Sequence, residues 1–288
     1  MYFKYYGFKE PPFNLTPNSR FFFESEKHSE ALSTLLYAIK ERKGFVVVSG
    51  QIGSGKTTVC RTLLNQLDPS TKTALITNTH ISGKDLLTAI LEEFEVDYTP
   101  GSKARLLSQL NDFLIEQLRL DNNVVLIIDE AQNLTPSVLE EVRMLSNLET
   151  EHEKLLQILF LGQPESKKKL ALPRLEQLRQ RIAVYYHLNP LNREDTLEYI
   201  RHRLRVASES DHQFFTAEAM ELVYRFSKGT PRLINQICDS ALLSGYIKEV
   251  QTVNATVMME VINESPMVVI GEENRKSETD DMPFIQRN

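Results

Sequence analysis

A glycine-rich stretch near residue 50 has the residue types needed to hold nucleotide phosphates. Gly50, Gly55, Lys56 and Thr57 fit the spacing G-x-x-x-x-G-K-[ST] at every fixed position. Glycines allow the tight turns that point backbone N–H groups at phosphate oxygens, and a following helix adds the positive end of its dipole. The lysine would contact the β- and γ-phosphates, and the threonine hydroxyl would bind Mg²⁺. The candidate nucleotide-binding residues are Gly50, Gln51, Ile52, Gly53, Ser54, Gly55, Lys56, Thr57 and Thr58.

Two adjacent carboxylates follow a purely apolar run further along the chain. Residues 124–128 are all valine, leucine or isoleucine, which is typical of a strand buried on both faces of a parallel sheet. Asp129 and Glu130 come next, at the strand end where such sheets bind ligands. Asp129 would hold Mg²⁺ through water, together with Thr57, and Glu130 would polarise an attacking water molecule. The pattern predicts hydrolysis as well as binding. The structural alternatives are a glycine-rich turn with a chance lysine and a strand end solvated by two acids.

Four further side chains could complete a phosphoryl-transfer site. Gln163 ends the fourth predicted strand, which in a sheet of this kind lies beside the strand that carries Asp129. It can therefore reach the attacking water or the γ-phosphate, unless it is only a turn residue before proline. Arg181, or else Arg179, lies at the start of the fifth strand and suits the γ-phosphate of a neighbouring copy. Arg232 follows a proline on the first turn of a helix, where the dipole disfavours a cation, so a phosphate would explain it. Solvated surface arginines are the alternative.

Strand-like and helix-like patterns alternate between residues 45 and 190, which predicts an α/β domain with a parallel five-stranded sheet covered on both faces. The predicted strands are 45–49, 74–78, 124–128, 155–161 and 182–188. Helices are predicted near 55–67, 83–95, 103–120, 136–148 and 165–180. Later helix patterns, near 192–207, 216–227, 231–248 and 254–263, predict a small all-α domain.

The expected organisation has four parts. Residues 1–24 are rich in aromatic residues and proline, and we expect them to pack on the nucleotide-binding domain, residues 25–190. Residues 191–263 would form a helical lid. The polar and charged residues 264–288 would form a mostly disordered tail.

The composition is that of a globular protein with one large and one small domain. The 288 residues are 41% hydrophobic and 25% charged, with a net charge of −6. This acidic balance argues against broad nucleic-acid binding, although basic clusters at 167–169 and 201–205 leave a local DNA contact open.

The sequence shows neither a signal-peptide pattern nor a run of about eighteen apolar residues, and both cysteines lie in apolar surroundings. We therefore expect a cytoplasmic protein.

Taken together, these motifs resemble those of a known family. Over roughly residues 1–263 the chain is similar to the AAA+ ATPases of the ExeA/GspA secretion type, which include ATPases of MSHA pilus biogenesis and of exopolysaccharide and exosortase gene clusters. The matching segments are Tyr6-Gly7-Phe8, Pro11-Pro12-Phe13, His28 with Glu30-Ala31-Leu32, Lys43-Gly44-Phe45, the glycine loop, Ile128-Asp129-Glu130-Ala131-Gln132, Gly162-Gln163-Pro164, Gln180-Arg181-Ile182 and Gly229-Thr230-Pro231-Arg232-Leu233-Ile234-Asn235.

The resemblance implies a P-loop NTPase fold with a helical lid and a ring-like homo-oligomer that binds ATP at protomer interfaces. It also implies that Gln163 is sensor 1, Arg181 the arginine finger and Arg232 sensor 2. Larger members continue into a membrane span and a peptidoglycan-binding domain, whereas this sequence ends in a short polar tail. We therefore expect no direct membrane insertion, and contact with the inner membrane or envelope through another protein.

Two functions remain open from the sequence. The first is an ATP-hydrolysing motor or switch that oligomerises and drives or regulates assembly of a cell-envelope secretion, pilus or polysaccharide-export apparatus. The second is an ATP-dependent DNA-binding regulator of transposition or recombination, because the family is also similar to transposition ATPases of the TnsC type. The net charge favours the first function. Glu130 argues against a third class, a scaffold that binds ATP without hydrolysing it.

Overall fold

The structure is a computed structural model that describes residues 2–16, 18–151, 153–208 and 212–265. The described residues divide into two compact units. The α/β unit comprises residues 18–189, and the helical unit combines residues 2–16 with 190–265. This division falls beside the boundary expected at residue 190. Residues 266–288, which make up nearly all of the expected tail, lie outside the described residues.

The α/β unit is built on one five-stranded sheet whose paired strands are all parallel, which confirms the predicted fold class. The strands are β1 (Phe45–Gly50), β2 (Lys72–Ile76), β3 (Val124–Ile128), β4 (Gln157–Gly162) and β5 (Ile182–Leu188). Their order is β2-β3-β4-β1-β5. The three inner strands, β1, β3 and β4, are buried along their whole length because helices cover both faces.

Helices form an apolar layer on each side of this sheet. The α/β unit contains α2 (Glu26–Lys40), α3 (Lys56–Gln66), α4 (Gly83–Glu93), α5 (Lys103–Arg119), α6 (Pro136–Leu145), α7 (Glu165–Leu170) and α8 (Glu176–Gln180). Leucine-rich faces of α4, α5 and α6 cover one side of the sheet, and α2 and α3 cover the other. Short 3-10 helices occupy Ser19–Phe21, Ala131–Asn133 and Pro173–Leu175.

The single helix predicted over 165–180 is wrong, because the chain breaks it into three pieces. Helix α7 ends at Leu170, a 3-10 turn begins at Pro173, and α8 follows. Leu172, directly before the proline, has φ −59° and ψ 136°. The proline ring disfavours a helical conformation at the preceding residue, which accounts for the break.

The helical unit contains α1 (Tyr2–Tyr5), α9 (Arg193–Ala207), α10 (Ala217–Ser227), α11 (Pro231–Ile247) and α12 (Ala255–Glu264). Side chains of Asn192, Thr216 and Asn254 cap the starts of α9, α10 and α12, and a proline opens α11. Helix α12 packs on α10 and α11. No helix in the described residues is long and apolar enough to cross a membrane.

The start of the chain packs within the helical unit, which differs from the expectation that residues 1–24 pack on the nucleotide-binding domain. The rings of Phe8 and Phe214 lie 4.6 Å apart. Arg203 is buried and donates hydrogen bonds to the carbonyl oxygens of Pro12, at 2.5 Å, and Asn14, at 3.3 Å. Residues of the aromatic and proline-rich segment therefore pack on, and hydrogen-bond to, α9 and residues that follow it. Residues 18–24 belong to the α/β unit.

Candidate nucleotide-binding site

The loop between β1 and α3 has the conformation that its glycines permit. It joins Gly50, at the end of β1, to Lys56, at the start of α3. Gly53 and Gly55 have φ of 77° and 99°, in the region that L side chains rarely adopt. A Cβ atom on Gly55 would lie 3.0 Å from Nε2 of His28. Glycine at position 55 is therefore required both by the backbone and by the available space.

Lys56 is buried, and its side chain folds back over the loop. Its Nζ donates hydrogen bonds to the carbonyl oxygens of Gly50, at 2.8 Å, and Gln51, at 3.1 Å. Burial lowers the pKa of Lys56, and the carboxylates of Glu130 and Asp129 act in the opposite direction. The acidic end of β3 is therefore close enough to the lysine to stabilise its charge.

The hydroxyl of Thr57 and the carboxylate of Asp129 lie side by side. Thr57 Oγ1 donates to Asp129 Oδ2 at 3.2 Å, and Asp129 Oδ1 accepts from the backbone N–H of Glu130 at 2.8 Å. In phosphate sites Mg²⁺ takes one or two protein oxygens together with water and phosphate oxygens, and these two groups fit that requirement. The described residues contain no group of three or more His, Cys, Asp or Glu side chains that could hold a metal alone.

Glu130 and Gln163 meet because β3 and β4 are neighbours in the sheet, as predicted. Gln163 Nε2 donates to Glu130 Oε2 at 3.2 Å. Glu130 has φ 51°, an uncommon left-handed conformation for a residue other than glycine, of a kind that clusters at functional sites. The structure therefore brings Lys56, Thr57, Asp129, Glu130 and Gln163 together at the carboxyl edge of the sheet.

The arginines expected to act on a neighbouring copy lie at the opposite end of the same sheet. Arg181 precedes β5, whose first residue pairs with the first residue of β1. The six residues of β1 span roughly 20 Å, so this end is distant from the glycine loop. Arg181 donates to the carbonyl oxygen of Ser146 at 3.2 Å, and the exposed Arg179 donates to that of Ala171 at 3.5 Å. Neither arginine joins the cluster around Lys56.

Arg232 belongs to the helical unit, where it is exposed on the first turn of α11. Pro231 opens that helix, as expected, and the first turn contains no acidic residue. The preceding Gly229 has φ 75°, and a Cβ there would lie 1.8 Å from the carbonyl oxygen of Leu191. A glycine is therefore required at the entrance to the helix that carries Arg232.

Comparison with known proteins identifies the family of the domain that contains this site. Residues 39–170 match a family described as an AAA domain, and this span contains the glycine loop, Asp129, Glu130 and Gln163. Over 249 residues, or 86% of the chain, the sequence is 44% identical to General secretion pathway protein A of Aeromonas hydrophila. Residues 39–170 therefore form an AAA domain, and the chain is homologous to General secretion pathway protein A. This confirms the resemblance drawn from the motifs. The match covers 45% of the relative, so the chain spans about half of its length.

Solved structures share the fold of this chain. The ORC2 protein of Aeropyrum pernix has a TM-score of 0.68 at 15% identity, covering 89% of this chain and 72% of that one. Cdc6p of Pyrobaculum aerophilum has a TM-score of 0.66 at 14% identity, covering 84% and 67%. The RuvB branch-migration motor of Thermotoga maritima has a TM-score of 0.58 at 18% identity, covering 83% and 69%. At these identities the likeness concerns the fold alone.

Two residues of the α/β unit join the site although the motifs assign neither of them a part in phosphate binding or hydrolysis. Gln132 contacts both Glu130 and the backbone of Gln163. His28 is buried beneath the loop, with Nε2 3.3 Å from the carbonyl oxygen of Ser54 and Nδ1 2.7 Å from Ser25 Oγ. A carbonyl oxygen only accepts, so Nε2 carries the proton and Nδ1 accepts from the serine hydroxyl. The one sequence signal for either residue is its presence in a segment shared with the family.

The two basic clusters are largely engaged within the protein. Lys169 donates to the carbonyl oxygens of Gln132 and Leu134. Arg203 is buried, as described above, and Arg201 and Arg205 both pair with the carboxylate of Glu198. The remaining members, Lys167 and Lys168, are exposed.

Proposed function

We propose that the chain binds ATP with Mg²⁺ and hydrolyses it to ADP and phosphate beside the glycine loop. The observation that carries this proposal is the meeting of two hydrogen-bonded pairs at one edge of the sheet. Thr57 bonds Asp129, and Gln163 bonds Glu130, each at 3.2 Å. These pairs supply oxygen ligands for a metal and a carboxylate for water activation, next to a lysine suited to phosphate.

Each residue has a distinct part in this proposal. Lys56 exchanges its bonds to the loop carbonyls for bonds to the β- and γ-phosphates, and backbone N–H groups of residues 50–58 surround the phosphate chain. Thr57 and Asp129 hold Mg²⁺, whose charge offsets that of the phosphates when it is bound. Glu130 orients the attacking water and accepts its proton, while Gln163 fixes the position of the water or the γ-phosphate.

The proposal includes a ring-like homo-oligomer in which neighbouring copies complete the site. Arg181 lies at the far end of β5 from the glycine loop, and this distance supports action on the ATP of a neighbour over action on its own. Arg179 is the second candidate for this part. Arg232, exposed on the first turn of α11, would respond to the γ-phosphate.

We assign the ATPase to assembly of a cell-envelope secretion, pilus or polysaccharide-export apparatus. The support is the 44% identity to a relative named for the general secretion pathway. The proposed partner is a protein of that apparatus, with the chain in the cytoplasm against the inner membrane. Regulation of transposition or recombination on DNA is the less favoured alternative, because four of the six basic residues considered for DNA contact are paired or buried.

Replacing Glu130 with glutamine tests the hydrolytic step. We expect Glu130→Gln to bind ATP normally and to lose about 10²-fold or more in turnover, because an amide cannot accept the proton. The matched control is Glu165→Gln, which removes another carboxylate charge near Lys56 and should stay within about threefold of wild type. If turnover of Glu130→Gln matches that of the control, Glu130 is not the base.

Mixing two inactive variants tests action between copies. Arg181→Ala should bind ATP and lose turnover, since its arginine serves the neighbouring site. Mixed with Glu130→Gln, it should recover activity, because some interfaces then join an intact arginine to an intact carboxylate. Sedimentation would verify that mixed oligomers form. Absence of recovery in verified mixed oligomers would contradict the arrangement in trans.

A DNA-binding assay separates the two functional classes. An envelope ATPase should show turnover that long duplex DNA leaves unchanged, and no ATP-dependent binding at low salt. A transposition-type regulator should bind DNA with ATP, with an affinity that falls steeply as salt rises, because bound phosphates release counterions. ATP-dependent binding that is lost on replacing the exposed Lys167 and Lys168 with alanine would overturn our assignment.

A further inference from the structure

We propose that Gln132 is a positioning residue that fixes the carboxylate of Glu130 for hydrolysis. The inference rests on the proposed ATP hydrolysis and deepens it. Gln132 lies in the 3-10 turn Ala131–Asn133, which directly follows Glu130 at the end of β3. The sequence motifs place Glu130 and Gln163 in the site, and the structure adds this third side chain between them.

The amide of Gln132 bridges the ends of two neighbouring strands. Its Nε2 donates to Glu130 Oε2, and its Oε1 accepts from the backbone N–H of Gln163 at 3.0 Å. These partners leave the amide one possible orientation, because a carboxylate oxygen only accepts and a backbone N–H only donates. The planar group therefore holds Glu130 at a fixed position relative to β4.

The turn that carries Gln132 is itself held from α7. Lys169 Nζ donates to the carbonyl oxygen of Gln132, and to that of Leu134 at 2.9 Å. Partial burial of the ammonium group lowers the pKa of Lys169. The support for Glu130 thus comes from groups of the protein itself, which is the arrangement that favours electrostatic preorganisation.

The two carboxylate oxygens of Glu130 differ in their hydrogen bonding. Oε2 accepts from both Gln132 and Gln163. Among the described residues, none donates to Oε1, which leaves this oxygen to receive the attacking water. When Gln163 turns to the γ-phosphate or its water, Gln132 continues to hold Oε2. We infer that the loss of Gln132 lets the carboxylate rotate away from the position in which it can take a proton.

Two substitutions test the inference. Gln132→Met keeps the length and volume of the side chain and removes both hydrogen bonds, and Gln132→Glu keeps an acceptor for Gln163 but sets a carboxylate against Glu130. We expect kcat to fall about tenfold in Gln132→Met and further in Gln132→Glu. A displacement of about 1 Å from the reactive geometry can lower the rate by this factor or more. The dissociation constant of ATP should stay within about twofold in both, since the glycine loop is untouched.

The matched control is Asn133→Ala, an exposed residue of the same turn, which should leave kcat and ATP affinity unchanged. Thermal unfolding of each variant shows whether the fold is retained. If Gln132→Met folds and its kcat equals that of wild type, or rises, the inference is wrong. It is also wrong if ATP affinity falls as much as kcat, because that pattern indicates general damage to the loop.

A double variant separates this inference from the proposed function. In Glu130→Gln the carboxylate is gone, so adding Gln132→Met should have no further effect on the residual turnover. A further tenfold loss in that background would show that Gln132 acts elsewhere and would overturn the inference. If the wild-type chain does not hydrolyse ATP, the proposed function fails. If wild type is active and the Gln132 variants are also fully active, the proposed function stands and the inference alone fails.

Discussion

Replacing Gly55 with alanine tests whether the loop geometry creates the nucleotide site. Gly55 has φ 99°, outside the left-handed well that L residues occasionally occupy. An added Cβ would lie 3.0 Å from Nε2 of His28, and this ring is held on both sides by hydrogen bonds to Ser25 and Ser54. A residue forced into such a conformation costs on the order of 1–3 kcal/mol. We take about 2 kcal/mol as the expected strain of Gly55→Ala.

The strain must lower stability, ATP affinity or both. If the loop keeps its shape, the strain lowers the free energy of unfolding. For a domain of this size, each kcal/mol lost lowers the melting temperature by roughly 2–4 °C. If the loop relaxes, its N–H groups turn away from the phosphates, and each 1.4 kcal/mol lowers affinity about tenfold. The two losses, added together, should account for about 2 kcal/mol.

Thermal unfolding and the anisotropy of a fluorescent ATP analogue measure the two losses on the same sample. Gly7→Ala is the matched control, because Gly7 also has a positive φ of 74°, has no atom within 4 Å of an added Cβ and lies in the helical unit. The control should lose some stability and keep its ATP affinity. If Gly55→Ala changes the melting temperature by less than about 1 °C and affinity by less than about twofold, the reasoning from loop geometry is refuted.

Three other expectations follow from the structure. Thr57→Ala and Asp129→Asn should bind ATP equally well with Mg²⁺ or with EDTA, whereas wild type should prefer Mg²⁺, and titrations in both buffers measure the difference. Arg203→Met leaves the buried carbonyl oxygen of Pro12 without its donor and should cost about 2 kcal/mol or more in urea unfolding, and an unchanged midpoint would contradict this. Burial raises the pKa of Cys60 to about 12, while an unfolded thiol ionises near pH 8.5. The unfolded state therefore loses its proton first, so between pH 7 and 10 wild type should lose about 2 kcal/mol more stability than Cys60→Ala.

Local patterns predicted most of the fold because each strand and helix has a strong signal of its own. The predicted bounds of β3 and β5 match the structure, since apolar and β-branched residues fill both strands. Strand β2 lies two residues earlier than predicted, at Lys72–Ile76, because its pairing with Val124–Ile128 fixes its ends. Pairing between distant segments cannot be predicted from the local sequence of either segment.

The difference between local sequence patterns and long-range contacts also applies to the candidate site. Lys56 and Thr57 were found from a fixed spacing, Asp129 and Glu130 from the apolar run that precedes them, and Gln163 from the expectation that two strands are neighbours. Gln132 and His28 contact the site through long-range packing, so a single sequence carries no positional rule for them. The packing of the first residues on the helical unit was missed for the same reason, because their partners are more than a hundred residues away in sequence.

The bond between Arg181 and Ser146 gives the α/β unit a mechanical connection between its two ends. Ser146 caps the end of α6, whose ten residues span about 15 Å and begin shortly after the turn that follows Glu130. Packed helices move as rigid rods because interiors are nearly incompressible. In the ring proposed above, a shift of Glu130 on hydrolysis would move, through α6, the arginine that we propose to act on the neighbouring copy. The nucleotide state of each copy would then affect ATP hydrolysis in the next copy, so that hydrolysis would proceed around the ring in sequence.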